Sequence, residues 1–311
     1  MAVSRHIEEF HGLPVFAFSA DPGDRRELPA ADAVAWRIAV DYGSGTGFED
    51  VWRAFHAAVD PSAVKALVIG PWWAEDYEPV TAALAAVVRD AALFPALEAL
   101  FVADVTYDEC EISWLEMADV TPLPTVFPQL TELVVRGGTG LALTAFQHDR
   151  LRVLRFEAGG LPRSVVEAVA ASELPALERL DLWLGVDEYG GDAGLGDLAP
   201  VLDGARFPSL RHLGLANSEI QDEIAAAVAQ APVVARLESL NLSMGVLSDE
   251  GAAALLEGQP LTHLRALDLH HHYLTEPMQE RLRQALPGVE VDLSDPEHED
   301  DPEDRYVAVA E

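Results

Sequence analysis

The sequence predicts an α/β fold: a repeat solenoid curved into a horseshoe, with about nine to ten parallel strands on the concave face and helices on the convex face. Three observations predict it. Hexapeptides starting at Leu210, Leu237 and Leu264 share the pattern Leu-x-x-Leu-x-Leu, a step of about 27 residues. Within each, the last two leucines stand two positions apart, so Leu213 and Leu215 share one face of a strand and Gly214 takes the other. The segment that follows changes period, with Ile220, Ile224 and Val228 recurring on one face of a helix. Strand and helix in constant order make successive strands parallel, and stacking buries leucines that no single unit could bury alone.

Residues 1–33 do not match the repeat and are expected to cap its first open layer, with Leu13 to Phe18 alternating as a strand. Residues 21–29 read as a charged loop. The repeat domain is expected over 34–294. Strands are expected at 35–41, 64–70, 97–103, 130–136, 151–157 and 177–183. Helices are expected at 49–59, 79–92 and 164–171, the first supported by Val51, Phe55 and Val59 at helical spacing. The fourth and fifth strands lie too close in sequence for a helix between them. Residues 104–119 form a long acidic insert and 184–196 a glycine-rich one. Ser164, Asp222, Ser248 and Thr275 stand where helix caps belong. Val289 to Leu293 closes the sheet. An acidic tail spans 295–311: its first ten residues read as disordered, and the alternating run from Arg305 reads as a short strand able to dock on an open sheet edge.

Of 311 residues, 50% are hydrophobic, enough for a large core, and the net charge is −33 from 53 acidic and 20 basic residues. That balance repels a phosphate backbone, so nucleic acid is not expected as a partner. It fits a solvated, solubilising surface and also an acidic patch that steers a basic partner, and it favours a monomer. Cys110 is the only cysteine, which excludes an internal disulfide and fits a reducing cytoplasm. The N-terminal residues lack a signal peptide's apolar core, and no apolar run reaches membrane-spanning length, so no membrane is expected. Lys65 is the only lysine among many arginines and alanines, the pattern of a high-GC bacterial genome.

The leucine spacing, the position of Asn217 and the helical second halves resemble the ribonuclease-inhibitor-like class of leucine-rich-repeat proteins over residues 35–293. More narrowly, His11-Gly-Leu-Pro-Val-Phe, Leu267-Asp-Leu-His-His-His-Tyr-Leu and the terminal Arg305-Tyr-Val-Ala-Val-Ala are similar to a family of stand-alone bacterial leucine-rich-repeat proteins. The resemblance implies a non-catalytic binding or scaffold role, with no catalytic residue and no cofactor to carry over. The two inserts and the short fourth repeat depart from a regular array.

With the strands aligned, the middle row of the concave face reads Ala39, Val68, Phe101 and Val134, then Arg155, Asp181, Gly214, Asn241, Asp268 and Asp292. The apolar first part implies either a covered surface, under the N-terminal segment or the 104–119 insert, or a contact site. The later part holds the candidate protein-binding residues: Arg155, Arg179, Asp181 and Trp183, then His212, Asn241, Asp268 and His270. Tryptophan and arginine are common interface anchors. The alternative to a protein or peptide partner, for which the acidic balance favours a basic one, is a metal-binding or accessory role in an enzyme assembly. There His270 and His272 would share a strand face, joined by Asp268 or Tyr273. His6 and His11 do not form H-E-x-x-H, the glycines after Arg136 lack the phosphate-loop lysine, and no G-x-S-x-G is present. No enzyme is expected from these residues.

Overall fold

The computed structural model describes residues 3–21, 23, 27–299 and 301–311. Residues 22 and 24–26 of the expected charged loop, and residue 300 of the acidic tail, lie outside the described residues. The strands are β1 (Glu9–Phe10), β2 (Leu13–Ala17), β3 (Ala35–Ile38), β4 (Ala66–Ile69), β5 (Ala99–Val102) and β6 (Glu132–Arg136). They continue as β7 (Val153–Glu157), β8 (Arg179–Gly185), β9 (His212–Ser218), β10 (Ser239–Asn241), β11 (Ala266–Asp268) and β12 (Glu290–Asp292). They form one sheet in sequence order, β1 antiparallel to β2 and every later neighbour parallel. This is a leucine-rich-repeat solenoid. Strands β3 to β12 are the expected repeat strands, and the β1–β2 hairpin extends the sheet at the N-terminal end.

The interior follows from the two-residue alternation. Leu213 pairs in register with Leu240 and Leu240 with Leu267, and all three are at most 1% exposed. A fully buried leucine contributes roughly 1.5–3 kcal/mol. The second layer holds α1 (Phe48–Ala58), α2 (Thr81–Arg89), α3 (Pro122–Val126), α4 (Arg163–Ala171), α5 (Leu195–Asp203), α6 (Gln221–Val228), α7 (Asp249–Glu257) and α8 (Glu276–Ala285). In the first repeat Trp36 takes the leucine position, and aromatic packing surrounds it: Trp36, Trp52 and Phe55 are fully buried, and Trp52 stacks on Phe94 at 5.1 Å between centroids. Between β6 and β7 there is no helix, as the short spacing requires.

Several local expectations are corrected. In β3 the register is Arg37 to Val68, so Arg37 and not Ala39 occupies the middle row. A two-residue slip keeps the face but moves the charge, because side chains alternate with period two. The second insert is shorter than expected, since α5 begins inside it at Leu195 and buries Leu198, Val201 and Leu202. Ser164 is no cap: Pro162 precedes α4 without a side-chain bond. Asp222 does not cap its own helix either. Its Oδ1 accepts the Ser248 amide at 2.7 Å, and its Oδ2 accepts the Ser248 hydroxyl at 2.5 Å. Asp249 holds Thr275 in the same way, at 2.9 and 2.7 Å. Ser248 and Thr275 are the caps of α7 and α8, so the first turn of each helix fixes the cap of the next.

The tail does not form an edge strand. Residues 306–310 run across the strand-exit ends of the later repeats. The Ala308 amide donates to Met244 O at 2.8 Å. Asn217 accepts from the Val309 amide at 3.0 Å and donates to Val309 O at 2.6 Å. Ser113 donates to Ala310 O. Asn217, Met244 and His271 are all left-handed (φ 57°, 68° and 52°) where the chain leaves β9, β10 and β11. All three bond to the tail, His271 through Nε2 at 3.1 Å from Tyr306 O. Gly159 has no side chain where Ala310 O passes, and a Cβ there would collide with that carbonyl. Val307, Ala308 and Val309 are buried.

Candidate functional site

The concave face divides in two. Over β3 to β6 the apolar members of the middle and side rows, Ala35, Ala66, Val68, Ala99, Phe101 and Val134, are all buried beneath an N-terminal arm that contributes Ile7 and Phe10, while Arg37 and Glu132 complete the two rows. Phe10 lies 5.8 Å from the Phe101 ring. The apolar patch is therefore covered, and the arm, not the 104–119 insert, lies on it. His11 ties the arm down, its Nδ1 2.9 Å from Glu132 Oε2. Further along, the Tyr107 amide donates to Val3 O at 2.8 Å and the Ile7 amide to Asp104 Oδ1 at 3.3 Å.

Asp104, fully buried, gathers the charges at this seam. Arg37 Nε lies 2.9 Å from its Oδ2, His6 Nδ1 3.2 Å from the same oxygen, and Arg136 Nη1 3.6 Å from Oδ1. Arg136 also pairs with Glu157 at 2.8 Å. Burial alone would raise the Asp104 carboxyl. The His6 hydrogen bond and the charges of Arg37 and Arg136 outweigh it and hold the group below the usual carboxylate range. The hydrogen bonds to Asp104 and Glu109 push His6 up to about 9.

The later half of the concave face, over β7 to β12, is polar, and the arm does not cover it. Asp181 is its buried centre. Arg179 Nε is 2.6 Å from Asp181 Oδ2, His212 Nε2 2.8 Å from Oδ1, and Arg155 Nε 3.8 Å from Oδ2. Burial raises the Asp181 carboxyl, but the His212 bond and the charges of His212, Arg179 and Arg155 hold it at about 2. Gly214 leaves room for this carboxylate, since a Cβ there would collide with Asp181 Oδ1. His212 Nδ1 continues to Ser239 Oγ at 2.7 Å. Arg155, Arg179, Asp181 and His212 thus form one connected cluster across three strands. Trp183 is half-buried against the core on the neighbouring row.

Asn241 and Asp268 carry an architectural task as well. Asn241 Oδ1 accepts the Ser243 amide at 2.9 Å, Asp268 Oδ1 the His270 amide at 3.1 Å, and Asp292 Oδ1 the Ser294 amide at 2.9 Å. This repeated side-chain turn competes with the sheet ladder and helps end β10, β11 and β12 after three residues each. The histidine triplet splits up. His270 Nδ1 is 2.7 Å from Asp268 Oδ1, and that bond raises its pKa. His271 and His272 are buried. His271 faces Tyr306 of the tail, while His272 Nε2 faces Leu293 O at 3.3 Å and its Nδ1 accepts the Leu274 amide at 3.1 Å. Burial lowers the pKa of both. The expected pairing of His270 with His272 is thus absent; Asp292 stands beside Asp268 and His270 instead, the three offering ligating atoms within 4.8 Å of one another. Burial pushes the Cys110 thiol up to about 11, which leaves it a poor nucleophile. Among the described residues, no helix is long and apolar enough to cross a membrane.

The sequence grouped Arg155, Arg179, Asp181 and Trp183; the structure brings Arg155 and Arg179 onto Asp181 together with His212, and places Trp183 on the neighbouring row. The sequence reading missed Arg37, Asp104, Arg136, Glu157 and His6 as a network. Arg136 and Glu157 had a signal, being register neighbours. Asp104 had none.

No family model matches the chain, and no curated protein matches it. Among solved structures, a Bacteroides fragilis protein, crystallised as a structural-genomics target, superposes with a TM-score of 0.79 at 31% identity, covering 85% of this chain and 75% of that one. The chain belongs to that protein's family. The two chains share their fold over most of their length. An internalin from Listeria monocytogenes str. 4b F2365 aligns at 12% identity over 84% of this chain and 86% of that one, with a TM-score of 0.26, too low to carry an argument.

Proposed function

We propose that the chain is a non-catalytic binding module that takes a protein or peptide segment on the uncovered half of its concave face. One observation carries this reading: the arm covers the apolar half over β3 to β6 and leaves the polar half over β7 to β12 open. There Arg155, Arg179, Trp183, His212 and His270 stand half-buried, pre-organised by neighbours, with Asn241 and Asp268 beside them. Groups fixed before binding lose little freedom on binding. Asp268, Glu290 and Asp292 make the far end acidic and favour a basic segment. On this reading the protein works as a cytoplasmic monomer, because a net charge of −33 opposes self-association.

The test is affinity purification from the native host with wild type and with the triple variant Trp183→Ala/Asn241→Ala/Asp268→Ala, both checked for an intact thermal transition. A protein recovered by the wild type and lost by the variant is the expected result. Equal recovery would move the site off this face, and no specific partner with either would sink the binding reading.

A second reading rests on Asp268, His270 and Asp292, whose spacing suits a divalent cation of the kind that takes nitrogen and carboxylate ligands together. Calorimetric titration of untagged protein with zinc should then show one saturable site that is lost in His270→Ala/Asp292→Ala. No heat from the wild type would remove it.

A further inference from the structure

We propose that the strand-exit rim of the first repeats, from Tyr42 to Trp114, is a docking surface for an arginine-rich segment of a partner protein. This surface is separate from the concave face and does not depend on it. Six large hydrophobic side chains are exposed among the described residues, and four of them stand on three successive loops of this rim. Tyr42, after β3, is 82% exposed; Tyr77, after β4, 58%; Tyr107 and Trp114, after β5, 45% and 64%. A solenoid with a buried core has no packing reason to place aromatic rings there.

The three loops form one continuous surface. The Gly43 amide, next to Tyr42, donates to Ala74 O at 2.7 Å and joins the first loop to the second. Tyr77 donates its hydroxyl to Glu109 O at 3.1 Å and joins the second to the third. Tyr77 also rests edge-on against buried Trp73, 5.3 Å between centroids, so the ring is supported from below. The tail reaches the same loop, where Ser113 beside Trp114 donates to Ala310 O.

The charge on this surface has one sign. Residues 41–47, 71–80 and 105–121 contain no lysine, arginine or histidine. Asp41, Glu75, Asp76, Asp108 and Glu111 stand among the rings and form no ion pair among the described residues. Glu109 is the exception, answered from the N-terminal arm by His6 at 3.3 Å. Aromatic faces interleaved with unpaired carboxylates match the guanidinium group. It stacks on tyrosine and tryptophan while giving paired hydrogen bonds to a carboxylate, which the ammonium of lysine does less well. A nucleic acid would be repelled here, and an apolar partner would leave the carboxylates unpaired.

The experiment titrates the full chain with a fluorescent arginine-rich peptide and with its lysine counterpart of equal length, followed by anisotropy at near-physiological salt. Wild type should bind the arginine peptide saturably and more tightly than the lysine peptide. Tyr42→Ala/Trp114→Ala removes two exposed rings without touching the core and should weaken binding on the order of tenfold. Glu75→Gln/Asp76→Asn/Glu111→Gln should weaken it as well. Glu223→Gln/Glu250→Gln/Glu257→Gln, which removes the same number of charges from exposed positions on α6 and α7, should leave it unchanged. Equal binding by wild type and the ring variant, equal losses from the two charge variants, equal affinity for both peptides, or no saturable binding would each overturn the proposal. Loss of peptide binding in the concave-face variant Trp183→Ala/Asn241→Ala/Asp268→Ala but not in the ring variant would move the arginine site to the concave face and overturn the proposal, so failure of one reading is distinguishable from failure of the other.

Discussion

Replacing Asp104 by alanine should destabilise the protein by about 3–5 kcal/mol, read from the midpoint of a denaturant titration. The carboxylate is fully buried and faces Arg37, Arg136 and His6. Removing it leaves two guanidinium groups with little exposure short of a counter-charge, and it also takes away the acceptor of the Ile7 amide. Arg136 keeps Glu157, so the larger part of the loss should fall on Arg37 and the arm. A midpoint shift no larger than that of an exposed aspartate variant would show that the network is not a stabilising unit.

The same network gives the arm a pH dependence whose sign is fixed. His6 rises from 6.5 to about 9 in the folded protein. Its contribution is therefore complete below about 6.5 and is lost as the pH climbs through about 9. Asp104 and Glu109 are lowered, so their contributions are present above the ordinary carboxylate range and are lost on acidification. Hydrogen exchange of the Tyr107 and Ile7 amides, which pair the arm to the insert, should become faster between pH 6.5 and 9 beyond the intrinsic base catalysis. His6→Gln should remove that excess. His6 is partly exposed, so solvent screening keeps the effect small beside that of Asp104.

Phe10→Ala is the second large effect expected, about 3 kcal/mol or more. Phe10 is 6% exposed and packs on Phe101, whose ring also carries the Arg136 guanidinium at 5.0 Å. Truncation opens a cavity and loosens the cover over Val68, Phe101 and Val134. The variant should therefore show increased binding of an apolar dye in its native baseline, before unfolding begins. An unchanged baseline with an unchanged midpoint would mean that the arm does not hold the patch closed.

Much of this fold is legible in the sequence because a repeat converts tertiary packing into local spacing. Leu213, Leu240 and Leu267 had to face one way and stack, and they do. The spacing fails where another residue takes the leucine position. In β3, Trp36 fills the slot of Leu67, so a reading keyed to aliphatic side chains slips by two and promotes Ala39 over Arg37. It fails again at α5, where glycines on either side and Pro200 inside hide three well-buried apolar residues. The Asp181 cluster was legible because neighbouring strands in register bring Arg155, Asp181 and His212 together automatically. The arm was legible only as one of two alternative covers, and the contacts made by the tail and by Asp104 were not legible, because their partners lie far away in sequence. Ile7 meets Asp104, Val309 meets Asn217 and Ala310 meets Ser113, and nothing periodic marks such pairs. His271 and His272 illustrate the same limit: the triplet invites a metal reading, and long-range contacts with the tail and with Leu293 set their roles instead.

The returning tail also bears on how the protein comes apart. In a bare stack each repeat touches only its neighbours, and the last unit can fray without disturbing the middle. Here residues 306–309 cross from His271 through Met244 to Asn217, and residue 310 reaches Ser113 in the loop after β5. Three residues of extended chain span about 10 Å, close to two inter-strand spacings of about 4.8 Å each, so the tail keeps step with the repeats it crosses. Opening the last repeat therefore pulls on the middle of the array and on the insert ahead of β6. The tail turns a zipper that opens one tooth at a time into a clasped unit whose C-terminal repeats melt together.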